Sequence, residues 1–293
     1  MRIYKLLFLL GILFLVTPSN AQRFELGFMA GATNYQGDLT PGTARISFGN
    51  PHPAFGVHVG YEINDLITVR GKITLTSMSG YDSQAIDQQR LSRNLHFKSS
   101  LQEAGINVEI YGLNIFKFMS NLAFHPYLIT GFNIFRYNPM ANEDGVNYEG
   151  NWVPLQPLGT EGQGSAEYPD RKKYNLTNFS VPWGFGMRYT FNDYFSMSVD
   201  LTQRWTFTDY LDDVSNTYVP LDILLSAPGG QTAANLAVRG HERGYDQDIT
   251  PDTFRGNPKE NDWYAITNVT FIAKFAPIWD KLSEKKAKCY KGF

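Results

Sequence analysis

The sequence predicts an all-β chain: an eight-stranded antiparallel up-and-down transmembrane β-barrel with long outer loops and a short periplasmic C-terminal tail. Three observations predict it. Eight segments alternate apolar and polar residues with period two. The connections between them alternate long and short, beginning with long. The polar sides of the strands carry acids and bases in balance.

The clearest segment is Tyr194–Phe207. Phe195, Met197, Val199, Leu201, Trp205 and Phe207 share one side, while Ser196, Ser198, Asp200, Thr202, Arg204 and Thr206 share the other. It is longer than the roughly 5–6 residues of an ordinary soluble strand and suits the roughly 9–11 residues of a membrane-crossing one. A long strand of a soluble sandwich or lipocalin-like barrel shows the same alternation with the apolar side inward, so one strand does not separate the two.

From the N-terminal side, Phe24–Thr33, Phe55–Ile63, Leu66–Thr76 and Glu103–Tyr111 alternate cleanly. Leu122–Tyr137 is less regular, contains Pro126 and fits either register. Val181–Phe191 and Asp262–Phe275 complete the set around Tyr194–Phe207. Asn64-Asp65 and Asn192-Asp193 form hairpin turns, and Gly112–Asn121 is a third short link. The stretches Tyr35–Ala54, Ser77–Gln102, Asn138–Phe179 and Thr208–Asn261 are long. Single-chain outer-membrane barrels place short turns on the periplasmic side and long loops outside. Both chain termini are then expected in the periplasm. A soluble sandwich has no reason to gather every long loop at one end.

Leaving out the ambiguous fifth segment, the acids on the polar sides are Glu25, Glu62, Glu103, Glu109 and Asp200, and the bases are Arg70, Lys72, Arg188, Arg204 and Lys274. Eight strands enclose a space that side chains fill. Opposite charges in such a space must pair, because an unpaired buried charge is very costly. The expected interior is therefore a plug; a pore would have a wider lumen, and a lipocalin cavity an apolar lining.

Composition agrees. Of 293 residues 18 % are charged and 15 % aromatic, and the net charge of −2 gives no field for nucleic acid. Residues 1–21 read as a signal peptide: Arg2 and Lys5, an apolar Leu6–Val16, then Thr17-Pro18-Ser19-Asn20-Ala21 as a cleavage region. Residues 22–275 form the barrel and 276–293 the tail. The lone Cys289 makes no internal disulfide. The five histidines form no metal-ligand pattern at sequence spacing, and no Gly-x-Ser-x-Gly is present. Ser77 and Ser79 near His96 make no recognisable motif. The sequence thus implies no catalytic, cofactor-binding or metal residues. Candidate partner-binding residues are Lys281, Lys285, Lys286 and Lys288 in the basic tail, with Trp152 and Leu155 in a Pro- and Gly-punctuated loop.

Several stretches carry a family resemblance. Gly31-Ala32-Thr33-Asn34-Tyr35-Gln36-Gly37-Asp38-Leu39 follows the first strand. Phe135-Arg136-Tyr137-Asn138-Pro139 precedes a loop reading Trp152-Val153-Pro154-Leu155-Gln156-Pro157-Leu158-Gly159-Thr160-Glu161-Gly162-Gln163-Gly164, and Phe207-Thr208-Asp209-Tyr210-Leu211-Asp212-Asp213-Val214-Ser215 follows the seventh strand. These resemble PorG, the small outer-membrane barrel family of the Bacteroidota type IX secretion system, over Phe24 to about Phe275. The resemblance implies a non-enzymatic scaffold for protein export. Its implied partners are outer-membrane lipids and a periplasmic ring built from a lipoprotein and its partner. A surface binding barrel or adhesin acting through the long loops is the alternative. Gly37, Asp38, Asp209, Tyr210, Asp212 and Asp213 are its motif residues, and turn chemistry gives them structural roles.

Overall fold

The computed structural model describes residues 24–40, 49–115, 123–245 and 253–275. The expected leader and basic tail, with Lys281, Lys285, Lys286 and Lys288, lie outside the described residues. Eight strands form a closed antiparallel wall: β1 (Phe24–Gln36), β2 (His52–Asn64), β3 (Ile67–Tyr81), β4 (His96–Ile110), β5 (Phe124–Asn142), β7 (Thr177–Thr190), β8 (Phe195–Thr206) and β9 (Trp263–Lys274). Each wall strand pairs with the next, and β9 returns to β1 with Glu25 opposite Lys274. A ninth strand, β6 (Trp152–Pro154), lies outside the wall and pairs with Met140–Asn142 of β5. The expected eight-stranded up-and-down barrel is the observed one.

Alternation decides the faces. On β8, Phe195 and Trp205 are exposed while Ser196, Ser198, Asp200, Thr202, Arg204 and Thr206 are buried. The same holds around the wall. Phe28, Phe55, Ile106, Leu128 and Phe185 point out, each at least 58 % exposed. A soluble sandwich or lipocalin would bury these residues. Aromatic pairs ring the wall near both ends. Phe24–Tyr61 and Phe124–Tyr189 lie toward the short turns, with ring centroids 5.0 and 4.7 Å apart. Trp183–Trp205 and Phe132–Phe179 lie toward the long loops, at 5.4 and 5.2 Å. Phe195 and Trp205 are ten residues apart on β8. At about 3.3 Å per residue and a tilt of about 40°, the apolar band is about 25 Å tall, the height of an outer-membrane barrel's belt.

Both Asn-Asp turns use one device. The Asn64 carboxamide accepts from the Leu66 and Ile67 amides at 2.9 Å, and that of Asn192 accepts from Tyr194 and Phe195 at 2.9 and 3.0 Å. The irregular fifth segment resolves into one register, with Tyr127, Ile129, Asn133, Phe135 and Tyr137 inward. Its pairing with β7 lapses between Thr130↔Trp183 and Asn133↔Ser180, beside Pro182, which has no N–H to give.

The strands run further than alternation marks. β3 continues to Tyr81, β4 starts at His96 and β5 ends at Asn142. The expected long link Ser77–Gln102 is therefore mostly strand, with a true loop only between Tyr81 and His96. These extensions project past the apolar band. Three short helices, α1 (Gln88–Arg93), α2 (Leu221–Ser226) and α3 (Gly230–Ala237), fold with the loops into a cap over the barrel mouth.

Candidate functional site

Period two places all ten expected charges on the inward face, and the closed wall brings most of them together. Near the short-turn end, Arg188 donates to both oxygens of Glu25 at 2.9 and 3.0 Å and to Glu109 at 3.0 Å. Arg70 pairs with Glu109 and lies 3.4 Å from Glu25 and 3.7 Å from Asp200. Glu62 bridges Arg188, at 3.5 Å, and Lys274, at 2.5 Å. Toward the cap, Arg204 donates to Glu103 at 3.1 and 3.2 Å, and Tyr264 donates to the same carboxylate at 2.6 Å. Asp200 sits between the groups, accepting from Tyr127 and from Asn268 at 3.1 Å. Lys72 shares the inward face and interacts with Asp200 and Glu103. Glycine makes room for this crowding. A Cβ on Gly60 would lie 2.5 Å from the Glu25 side chain, and one on Gly186 would lie 2.5 Å from the Tyr127 ring and 2.6 Å from the Asp200 carboxylate. The interior is packed with neutralised charge.

Above it Met78, Phe97, Leu101, Phe135, Tyr137, Tyr264 and Ile266 fill the mouth with apolar and aromatic side chains. The cap is held on by buried guanidinium groups. Arg93 of α1 grips both oxygens of Asp82 at 2.7 Å, reaches the Asp38 carbonyl at 2.9 Å, and bonds the Arg255 carbonyl. Arg239 ties the segment after α3 to the end of β5, donating to the carbonyls of Asn142 and Glu143 at 2.5 and 2.8 Å. Arg255 donates to Glu161 at 3.1 Å and to the Asp213 carbonyl at 2.6 Å.

The motif residues sit in this knot. Glu161, fully buried, accepts from the amides of Ser215 and Asn216 at 2.9 and 3.1 Å and from Tyr210 at 3.3 Å. Gly159, Gly162 and Gly164 around it hold φ between 66° and 81°, which glycine adopts at little steric cost. Asp213 itself has φ 70° and accepts from Thr160 at 2.5 Å and Tyr174 at 2.6 Å. Asp212 accepts from Tyr35 at 2.6 Å and from the Val214 amide at 2.9 Å. Asp262 accepts from the Leu211 amide at 2.9 Å and Tyr35 at 3.2 Å. Asp38 accepts from the Asn257 amide at 2.9 Å. At Gly37 a Cβ would strike the Asp262 carboxylate and the Tyr35 hydroxyl, at 1.8 and 2.0 Å. These contacts join the segment after β1 to the segment after β8. The family resemblance singles out Gly37 and the aspartates at 38, 209, 212 and 213, and periodicity does not. Neither singles out Glu161, Arg93, Arg239 or Arg255, whose partners lie far away in the chain and obey no period.

Burial and like charge act on the carboxyls. Burial pushes Asp209 up to about 8, with Asp38, Glu161 and Glu260 adding repulsion. Burial likewise raises Asp213 to about 6 despite the opposing Arg255. Asp212 and Asp262 are held well above the usual range by burial and by neighbouring aspartates. A carboxyl held above its unfolded value binds a proton in the native state that the unfolded chain releases. Its stabilisation is complete below about pH 4 and is lost as pH rises through the native value. For Asp213 and Asp209 that window runs from about 4 to about 6 and about 8. The cap is therefore expected to loosen with rising pH. Protease cleavage within 207–262, normalised to an unstructured reference peptide, should increase from about pH 5 to about pH 9. Asp209→Asn should flatten the upper half of that rise, and a pH-independent cleavage rate would contradict it.

A cleft of about 660 Å³ opens beside the knot, lined by Asp38, Arg90, Asp209, Phe254, Asn257 and Trp263 among others. No group of three or more His, Cys, Asp or Glu suited to a metal ion occurs among the described residues. Ser77 and Ser79 meet His52, at 3.1 and 2.8 Å, while His96 accepts from the Asn142 amide at 2.9 Å. Leu155 is buried at 2 % exposure and packs in the cap with Ala141 and Leu236. Trp152 is half-buried, its ring edge-on to His96 and under the Lys98 ammonium at 5.8 Å.

A closed eight-stranded wall with apolar side chains outside and paired charges inside defines an outer-membrane β-barrel. Residues 3–151, just over half of the chain, match the family described as Domain of unknown function (DUF6089), and the chain belongs to that family. No curated protein matches it. Among solved structures, Neisserial surface protein A is similar in fold, with 11 % identity over 86 % of this chain and 97 % of its own, and a TM-score of 0.39. A major outer-membrane protein of Thermus thermophilus has 10 % identity over 85 % and 98 %, with a TM-score of 0.38. Ail of Yersinia pestis has 8 % identity over 86 % and 95 %, with a TM-score of 0.35.

Proposed function

We propose that this barrel is a non-enzymatic scaffold of the type IX protein secretion machinery, linking the outer membrane to a periplasmic ring of lipoprotein and partner. The observation that carries the reading is the filled lumen. Ten charged side chains and an apolar mouth layer occupy the axis, so this barrel cannot itself pass a folded protein. A barrel in an export machine that conducts nothing acts by holding. The motif stretches after β1, after β8 and around Glu161 supply the family link, and they converge in one knot. In this reading the short turns and both termini face the periplasm, and the basic tail 276–293 docks on the ring.

Affinity purification from detergent-solubilised outer membranes tests it. The full chain should co-purify with a periplasmic lipoprotein and its partner, and removing 276–293 should cut that recovery severalfold. Unchanged recovery would take the tail out of the mechanism, and absence of any ring protein would end the scaffold reading. A second reading, a surface binding barrel, is favoured by the ordered cap and its cleft. Excising both long outer loops, 138–179 and 208–261, the second of which lines the cleft, should then abolish ligand capture and leave secretion intact.

A further inference from the structure

The outward face of the wall is almost free of charge. Its exceptions fall in one place. Alternation assigns an outward position to every second residue of the eight wall strands. Among these described positions two carry Lys, Arg, Asp or Glu: Lys98 on β4 and Arg136 on β5, both exposed. Both are positive, and their strands are adjacent. Neither forms an ion pair with a carboxylate among the described residues.

Their height is set by the register. Arg136 stands opposite Gln102, which stands opposite Leu75. Leu75 and Ile134, at 55 % and 43 % exposure, are the last fully exposed apolar outward residues on β3 and β5, and Met140 beyond them is half-buried opposite Lys98. Arg136 is thus the first outward side chain past the apolar band on its strand. Lys98 lies four residues beyond Gln102, or about 10 Å further from the band at about 3.3 Å per residue and a tilt of about 40°. Exposed Ser100 and half-buried Asn138, paired across the strands, fill the gap. Trp152 of the extra strand β6 lies against the Lys98 ammonium. The result is a ladder of donors that begins at the hydrocarbon edge and rises through the depth of lipid headgroups.

We propose that the β4–β5 sector is a docking face for a phosphate-bearing lipid headgroup of the leaflet at the cap end. The charge complementarity is one-sided: two cations, no acid on the outward wall among the described residues, and neutral hydroxyl and amide groups between them. Arg136 takes the phosphate nearest the acyl chains, with a fork that suits its oxygens. Lys98 takes a second anionic group higher up. The sector uses the barrel orientation proposed above for the identity of the leaflet. Lipid binding itself is read independently of that orientation and of the secretion role.

The test is native mass spectrometry of the full chain in detergent, titrated with bis-phosphorylated lipid A and with dephosphorylated lipid A. The unaltered chain should retain the phosphorylated lipid. K98Q/R136Q should bind it about tenfold or more weakly, since each basic residue near an anionic lipid surface contributes on the order of tenfold or less. K98R/R136K keeps both charges and should restore most, not all, of the retention, and K259Q in the cap should leave it unchanged. Equal retention of the dephosphorylated lipid, or full retention by K98Q/R136Q, would overturn the proposal. All these side chains are exposed, and heat-modifiable migration in a denaturing gel confirms folding of each variant.

Discussion

Arg188→Ala is expected to prevent the barrel from reaching its heat-resistant folded form. The guanidinium holds Glu25 through both carboxylate oxygens, Glu109 at 3.0 Å and Glu62 at 3.5 Å. Removing it leaves Glu25 and Glu109, both buried, facing one another across the lumen. Arg70 then has to serve both. Breaking a buried pair by deleting one partner costs about 3–5 kcal/mol, a large share of an ordinary domain's stability of about 5–15 kcal/mol. Gel migration without heating and urea unfolding in lipid vesicles both read the loss. The double variant R188M/E25Q removes one charge of each sign and should recover part of it. If R188A alone folds as the parent does, the interior is not held by this network.

The second large effect is expected at Glu161→Ala, and it should be confined to the cap. The Glu161 carboxylate is the shared acceptor of two backbone amides, Tyr210 and the buried Arg255. Its loss leaves Arg255 with Asp213 alone, at 3.8 Å and through the carbonyl at 2.6 Å. Unpaired amides and a half-paired guanidinium together cost about 3 kcal/mol or more. The loops should become cleavable by protease while the wall keeps its heat-modifiable migration. Glu161→Gln retains an acceptor for the amides but not the opposite charge, so it should fall between. Loss of the whole barrel in E161A would show that cap and wall fold as one unit.

What can be read in the chain beforehand follows from period. Alternation assigns every wall strand except β5 its inward side, because a strand with lipid on one face cannot slip by one residue without turning a charged side chain outward. β5 is ambiguous in sequence because both its sides carry large apolar residues: Phe124, Phe132 and Ile134 outward, Tyr127, Phe135 and Tyr137 inward. The ten interior charges are legible for the same reason as the strands. The extensions to Tyr81, His96 and Asn142 are not, since above the membrane the outward residues turn polar and alternation fades. The cap is illegible for a different reason. Arg93 meets a carbonyl 162 residues away, and Arg239 one 97 residues away. No local pattern encodes such pairs. The glycines at 159, 162 and 164 mark a shaped loop without saying what it wraps.

A tube packed solid along its axis has a mechanical meaning. It cannot widen, narrow or twist one end against the other without breaking several ion pairs at once. A push on the loops therefore reaches the opposite rim as a tilt or a displacement of the entire body. In the scaffold reading, a partner on the short-turn end would feel the surface as a lever arm, with the bilayer around the wall as the fulcrum.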